Sequence, residues 1–154
     1  FKTKKIEHVF NQLSAKESPC HLFDVTFSEG EFIAKEVIRS TMLHIKTSSN
    51  VPVFTLDREG LLERLYALTG YKDIDIKNHA DFSKRFYLRG ENENAIRSLF
   101  NDELVLFFES NAYYHIESSK DGLLVFSKER MASIKEIKAL LDFGLRLNAI
   151  INKV

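Results

Sequence analysis

The chain of 154 residues has no tryptophan, a single cysteine, two prolines and six glycines. Because Cys20 has no cysteine partner, an internal disulfide is impossible and no thiolate metal cage can form. A single cysteine also fits a reducing compartment. Pro19 precedes Cys20 and a strand pattern follows it. We therefore expect the Cys20 side chain to be a small buried apolar group rather than a reactive thiol.

Neither sign of charge is in excess, since 22 Lys and Arg residues match 22 Asp and Glu residues. A nucleic-acid-binding protein needs a basic face to displace counterions from phosphates, so we expect no nucleic-acid partner. One local excess comprises Lys2, Lys4 and Lys5, opposed by Glu7. Such a cluster is typical of a solvated face, and near a membrane anchor it would also suit anionic headgroups.

No apolar run approaches the ~20 residues that a helix needs to cross a bilayer. The longest run, Leu104 to Phe108, is far too short. The chain begins at Phe1 rather than methionine, so we expect a fragment or a processed product of a longer protein. Any membrane anchor would then lie outside this sequence.

The composition is that of one ordinary globular domain covering residues 1–154. Apolar residues make up 44% and charged residues 29%, a balance that excludes a disordered chain. Thirteen phenylalanines indicate a well-packed, aromatic core. No repeat, low-complexity tract or internal linker indicates a second domain.

Alternation of apolar and polar residues predicts strands that pair as hairpins. His21 to Phe27 alternates in this way, and an extended stretch from Phe32 to Lys46 follows a turn at Glu29–Gly30. In that stretch, one face is predicted to hold Val37, Thr41, Leu43 and Ile45. A second hairpin is predicted from Tyr113–Glu117, a two-residue turn signal at Asp121–Gly122, and Leu123–Phe126.

The first segment permits two structures. Apolar residues between Ile6 and Leu13 recur at helical spacing, whereas Lys5 to His8 also permits a strand. Further along, Val51 to Leu56 is a short apolar run interrupted by Pro52. Because proline cannot donate to a strand ladder, this run predicts an edge strand or a connection.

The middle of the chain predicts two further extended pieces. Asp73 to Ile76 is brief, and Phe82 to Arg89 reads as a strand with Phe86 and Leu88 on the same side as Phe82. Gly90 ends that strand, and we expect it to take a backbone dihedral that other residues avoid.

Four helices are predicted from apolar spacing and end signals. They are a helix capped by Asp57 with a leucine face from Leu61 to Leu68 and a stop at Gly70, then Asn92–Leu99, then Asp102–Glu109 capped by Asn101, and finally Ile134–Ile151. Ser133 and Glu136 form a capping box for the last helix. Its apolar face is predicted to contain Ile137, Leu140, Leu141, Gly144, Leu145 and Ile151, with Gly144 allowing a close approach.

Strands that come as hairpins, with helices between them, predict an α+β fold. We expect an antiparallel sheet with the helices packed on one face.

One cluster resembles a metal site and comprises Asp73, Asp75, His79 and Asp81. Carboxylates two residues apart on a strand point to one side, and hard divalent cations favour such oxygen ligands. However, the segment lacks the glycine and the distal glutamate of a calcium-binding loop. Acidic residues that alternate with Ile74 and Ile76 are also what the wet side of an edge strand shows, and we prefer that interpretation.

No other constellation predicts chemistry, so no catalytic residue and no cofactor are expected. The five histidines are scattered: His8, His21, His44, His79 and His115. On predicted strands, His44 and His115 fit a surface position or a hydrogen-bonded core position better than metal ligation. Arg89 followed by Gly90 resembles the start of a phosphate site, but one glycine is equally typical of an ordinary strand-to-helix turn.

The stretch from Asp73 to Phe100 carries a resemblance. Its pieces are Asp73-Ile74-Asp75-Ile76, Asp81-Phe82, Phe86-Tyr87-Leu88-Arg89-Gly90 and Arg97-Ser98-Leu99-Phe100. This pattern resembles an uncharacterised family of bacterial membrane-anchored proteins, with transmembrane helices near the N-terminus and a soluble α+β domain behind them. The resemblance implies a bacterial inner-membrane protein with this domain on the cytoplasmic side. It brings no activity and no catalytic residues.

Two functions of different classes remain open. The first is a non-enzymatic, membrane-tethered interaction or scaffold domain with a protein partner, held at the membrane through a segment outside this sequence. The alternative is a divalent-metal-assisted hydrolase in which Asp73, Asp75, His79 and Asp81 surround the ion.

Overall fold

A computed structural model describes residues 5–14, 16–29, 36–47, 51–58, 73–127 and 130–153. These ranges contain the strands β1 (Lys5–Ser14), β2 (Cys20–Glu29), β3 (Glu36–Ile45), β4 (Phe54–Arg58), β5 (Phe86–Gly90), β6 (His115–Ser119) and β7 (Gly122–Phe126). They also contain the helices α1 (Ala80–Arg85), α2 (Glu93–Leu99), α3 (Asp102–Ser110) and α4 (Ile134–Ile151). The predicted helix from Leu61 to Leu68 and the turn at Gly30 lie outside the described residues.

The strands form one sheet in the order β1-β2-β3-β7-β6-β4-β5, and every neighbouring pair is antiparallel. Both predicted strand pairs are present, β2 with β3 and β6 with β7. The ambiguous first segment is a strand, β1, paired with β2. The predicted α+β fold with an antiparallel sheet is therefore confirmed.

All four described helices pack against one face of the sheet, which we call the helix face. Phe82 of α1 stacks on Phe86 of β5 with ring centroids 4.8 Å apart. Phe108 of α3 and Phe143 of α4 join the same aromatic cluster. The predicted phenylalanine-rich core is thus formed between the helices and this face.

The opposite face of the sheet, which we call the second face, is apolar at one end and polar at the other. At the end formed by β2 and β3, the apolar residues Val25, Phe27, Ile38 and Met42 are buried together. At the end formed by β4, β5 and β6, the side chains on this face are mostly polar or charged. Because strand residues alternate between faces, this polar patch lies directly behind the aromatic core.

Two segment predictions were wrong in part. Val51 to Leu56 is not an edge strand: its first three residues are a connection, and its last three begin β4, which pairs with β5 on one side and with β6 on the other. Pro52 precedes β4 and so removes no hydrogen bond from the ladder. Phe82 to Arg85 is helical rather than extended, and the strand begins only at Phe86.

Two glycines are required by close approach to neighbouring chain. A Cβ on Gly90 would lie 2.3 Å from the carbonyl oxygen of Val53, and one on Gly144 would lie 2.3 Å from Leu43 Cδ2. The predicted close approach at Gly144 is therefore confirmed. The predicted unusual dihedral at Gly90 is wrong, because the positive φ among described glycines occurs at Gly122.

The last helix begins as predicted, with the reciprocal capping box of Ser133 and Glu136. Its buried residues are Leu140, Phe143, Gly144, Leu147 and Ile151. Leu145, predicted on the apolar face, is instead 50% exposed. Among the described residues, no helix is both long enough and apolar enough to cross a membrane.

Candidate functional site

The predicted acidic cluster is placed largely on the surface. Asp73 and Asp75 are exposed, whereas Ile74 and Ile76 between and after them are buried, as expected for the wet side of an extended segment. The Asp73 carboxylate has a structural partner, since its Oδ1 accepts a hydrogen bond from the backbone N–H of Leu88 at 3.0 Å. Asp73 therefore satisfies a donor at the outer edge of β5.

The other two members of the cluster have different neighbours. The His79 imidazole lies 3.0 Å from Asp102, at the start of α3. Asp81 is exposed and lies 3.9 Å from Lys84 on the same helix. Within the part of the chain that the structure describes, no three His, Cys, Asp or Glu side chains are grouped so as to hold a metal ion.

A set of buried and half-buried ionisable side chains lies on the second face instead. His115 of β6 is central: its Nδ1 is 3.2 Å from Asp57 Oδ2 and its Nε2 is 3.0 Å from Glu117 Oε1. The hydroxyl of Tyr113 donates to Asp57 Oδ1 at 2.5 Å. We call these four residues the His115 network.

The strands position the network without special loops. Thr55 pairs with Glu117 and Leu56 with Ile116, so the next residues along, Asp57 and His115, face each other across β4 and β6. His115 and Glu117 are two residues apart on one strand and therefore share a face. The ring of Phe126 on β7 lies 4.6 Å from the His115 ring and covers its other side.

Burial and charge act in opposite directions on this network. Burial by itself would lower the pKa of His115, but the hydrogen bonds to Asp57 and Glu117 outweigh it and raise the pKa above its ordinary value. Burial opposes ionisation of Asp57, yet the contact with His115 lowers the pKa of that carboxyl. For Tyr113, burial and the adjacent Asp57 carboxylate both raise the pKa of the phenol.

The arrangement is that of an imidazolium held between two carboxylates. A catalytic histidine uses one ring nitrogen for an orienting carboxylate and keeps the other for a nucleophile or substrate proton. In His115 both nitrogens face carboxylates, so neither is available to a substrate in this state. The geometry is that of a buried ion-pair network rather than of a nucleophile–base pair.

The network shows that the prediction for Asp57 is wrong and that the prediction for His115 is right. Asp57 does not act as the cap of a helix: it lies within β4, is only 3% exposed, and binds Tyr113 and His115. The expectation that His115 occupies a hydrogen-bonded position on a strand is confirmed. The spacing of His115 and Glu117 on a predicted strand was the available signal. Their partner Asp57 is 58 positions earlier and had no signal.

Arg89 lies beside this network rather than at a phosphate site. It is 4% exposed, and its guanidinium lies over the ring of Tyr87, 4.7 Å from the centroid. The α2 helix that follows is capped by Asn92, whose side chain accepts from the backbone N–H of Ala95. This is the ordinary strand-to-helix turn that the sequence also permitted.

The remaining histidine pair lies on the same face, further along the sheet. His21 and His44 are directly opposite each other on β2 and β3, with ring centroids 6.2 Å apart. Burial, and then the nearby His21, lower the pKa of His44. The net shift is opposite to that of His115, because the raising effect of Asp121 on the pKa of His44 does not outweigh burial and His21.

The edge of the sheet at β1 is the most exposed strand of the described structure. Within the described residues, β1 pairs with β2 alone. Three large apolar side chains on it are exposed: Ile6 by 55%, Val9 by 46% and Leu13 by 63%. The β1–β2 pairing is irregular after Ile6 and after Phe10.

Comparisons of the chain with protein-family models, with curated proteins and with solved structures found no match. The resemblance to a membrane-anchored bacterial family stays a prediction.

Proposed function

We propose that this chain is a non-enzymatic interaction domain that binds a protein partner along the outer edge of β1. The observation that carries the proposal is the exposed apolar set on that edge, Ile6, Val9 and Leu13. An extended segment of a partner can add to a sheet edge, where main-chain hydrogen bonds supply affinity and side chains supply specificity. Long exposed edges are otherwise a liability for a soluble domain.

The irregularities in β1 are compatible with a selective edge. Asn11 has a left-handed backbone, with φ of 49°, at the second irregularity. Its side chain donates to the buried carboxylate of Asp24 at 2.8 Å, which holds the strand in this shape. Bulges of this kind twist a sheet edge and limit indiscriminate pairing. Between the two irregularities, His8 to Phe10 pair regularly with β2. In this proposal, the outer edge of that short segment accepts a partner strand of similar length.

The polar chemistry of the second face also favours binding over catalysis. Both imidazole nitrogens of His115 are occupied, because each faces a carboxylate. A network of this kind stabilises and specifies a fold rather than activating a substrate.

Membrane tethering is part of the proposal and rests on the resemblance described above. In this view the domain lies at the cytoplasmic side of a bacterial inner membrane, held by a segment outside this sequence. Lys2, Lys4 and Lys5 would then face anionic headgroups, each contributing on the order of 1 kcal/mol near such a surface.

The test is site-specific photo-crosslinking in the full-length protein in its native membrane. A photoreactive residue at Val9 should give a discrete crosslinked protein, and one at Leu145, an exposed apolar position on α4, should not. Val9→Lys combined with a crosslinker at Ile6 should abolish the product, whereas Leu145→Lys should leave it intact. Equal crosslinking from both positions, or none from β1, would reject the proposal.

The alternative of a metal-assisted hydrolase has one observation in its favour. Asp73 and Asp75 line a common groove of about 580 Å³. The groove also contains the cationic Lys84, and the Asp73 carboxylate already accepts from Leu88 N–H. Calorimetric titration with magnesium, manganese, calcium and zinc tests this alternative. Binding heat that is lost in the Asp73→Asn, Asp75→Asn double variant would favour it.

A further inference from the structure

The sheet has a narrow junction between β4 and β6. These strands share two residue pairs, whereas β4 with β5 and β6 with β7 share five each. The β4–β5 pair is joined to the remaining described strands of the sheet through this junction alone. A short ladder has fewer backbone hydrogen bonds to break, and proteins open locally as well as globally.

Side chains of the His115 network bridge the same junction. Asp57 belongs to β4, whereas Tyr113, His115 and Glu117 belong to β6 or to the residues just before it. The contacts of Asp57 with His115 at 3.2 Å and with Tyr113 at 2.5 Å therefore hold β4 against β6. They extend the connection one row beyond the Leu56–Ile116 pair.

We propose that the His115 network is a pH-sensitive clamp on the β4–β6 junction. With the imidazole protonated, both ring nitrogens donate to carboxylates. When the proton leaves, one ring nitrogen presents a lone pair to a carboxylate, and Asp57 or Glu117 loses one of its donors. The junction then opens locally while the rest of the sheet stays paired.

Among the described side chains around it, His115 is the one that changes charge near neutral pH. The described charged or titratable side chains that lie around it on this face are Asp57, Tyr87, Arg89, Tyr113 and Glu117, from β4, β5, β6 and the residues just before β6. The side that faces β7 is covered by the uncharged ring of Phe126. Of these residue types, only histidine has an ordinary pKa between 5 and 8.

The sign of the effect follows from the raised pKa of His115. Burial alone would lower this pKa, but hydrogen bonds to Asp57 and Glu117 raise it. The clamp is therefore complete below the ordinary histidine pKa of about 6.5 and is lost as pH rises through the higher pKa of the closed state. Across that window, the opening equilibrium should rise by at most ~10-fold per pH unit, since one proton is released.

The test is amide hydrogen exchange, followed by NMR between pH 6 and 9. Rates are converted to protection factors against the intrinsic rate of each amide, because intrinsic exchange itself accelerates with pH. Protection of the amides of Thr55–Asp57 and His115–Glu117 should fall with rising pH. Protection in the β2–β3 pair, which has ten residue pairs, should not change over the same range.

Two variants separate the clamp from general effects of histidine. In His115→Gln the pH-dependent step should disappear, and in His44→Gln it should be unchanged. Persistence of the step in His115→Gln, or an equal loss of protection in β2 and β3, would overturn the proposal. If His115→Gln does not fold, titration of the His115 ring protons in the parent decides: a pKa below 6.5 would also overturn it.

Discussion

The hydroxyl of Thr41 donates to the carboxylate of Asp24 at 2.6 Å, directly across the pair of β2 and β3. The same oxygen accepts from the backbone N–H of Ala132 at 2.9 Å, just before α4. Asp24 in turn accepts from Asn11 on β1. One buried threonine thus connects the irregular edge strand to the start of the last helix.

Replacing Thr41 with valine should therefore destabilise the domain although the shape is preserved. The change leaves the buried Asp24 with one fewer donor and Ala132 N–H without its acceptor. We expect a loss of ~1–3 kcal/mol in the free energy of unfolding, measured in urea. Thr55→Val is the matched control, because no hydrogen bond of the Thr55 side chain is formed among the described residues. Equal effects of the two variants would contradict this account.

Phe86→Ala should be strongly destabilising. Phe86 is 3% exposed, and its ring contacts Phe82 and Phe108 in the helix-face core. Truncating a buried phenylalanine costs ~3–5 kcal/mol, a large part of the stability of a typical domain. Thermal and chemical unfolding measure this loss, with Leu145→Ala as the exposed control. A melting temperature within a degree or two of the parent would refute the assigned packing.

The effect of a substitution at Asp73 on stability should depend on whether the new side chain keeps a hydrogen-bond acceptor. Asp73→Asn retains an oxygen that can accept from Leu88 N–H, so stability should change by well under 1 kcal/mol, as at ordinary surface positions. Asp73→Ala removes that acceptor and should cost ~1 kcal/mol. Asp75→Ala, at an exposed position two residues away, is the control and should be nearly neutral. A neutral Asp73→Ala would mean that solvent satisfies Leu88.

The two tightly packed glycines should tolerate alanine differently. At Gly90 the added Cβ meets the backbone oxygen of Val53, which cannot move without shifting β4. We expect a loss of ~1–3 kcal/mol for Gly90→Ala in equilibrium unfolding. At Gly144 the nearest atom is the end of the flexible Leu43 side chain, so Gly144→Ala should be less costly. The reverse order would show that the α4 contact is the more rigid one.

The loss of stability at acidic pH should depend on Asp57. Burial raises the pKa of this carboxyl, but the contact with His115 outweighs burial and lowers it below the ordinary value. Stability from Asp57 is therefore present above about pH 4 and lost as pH falls through the lower pKa of the folded state. Between pH 4 and 2 the free energy of unfolding should fall less steeply in Asp57→Asn than in the parent. Asp75→Asn should keep the parental slope.

Much of the fold was predictable because it is encoded in short stretches. The alternating residues of β2, the turn signal around Asp121 and the capping box at Ser133 each act within a few residues. The turn itself is formed by Lys120 and Asp121, one position earlier than predicted. They were enough for the α+β class and for the last helix.

The order of the strands and the polar network were not predictable in this way. Asp57 has the local features of a helix cap, and only the pairing of β4 with β6 turns it toward His115. Likewise Pro52 indicated an edge, but whether a strand is central depends on which distant strands pair beside it. Local sequence determined most of the elements and their apolar faces, since those follow from backbone periodicity, but it left β1 ambiguous and misplaced the start of β5. Tertiary structure alone decided which charged side chains meet, since their attraction acts only after the sheet has brought distant strands together.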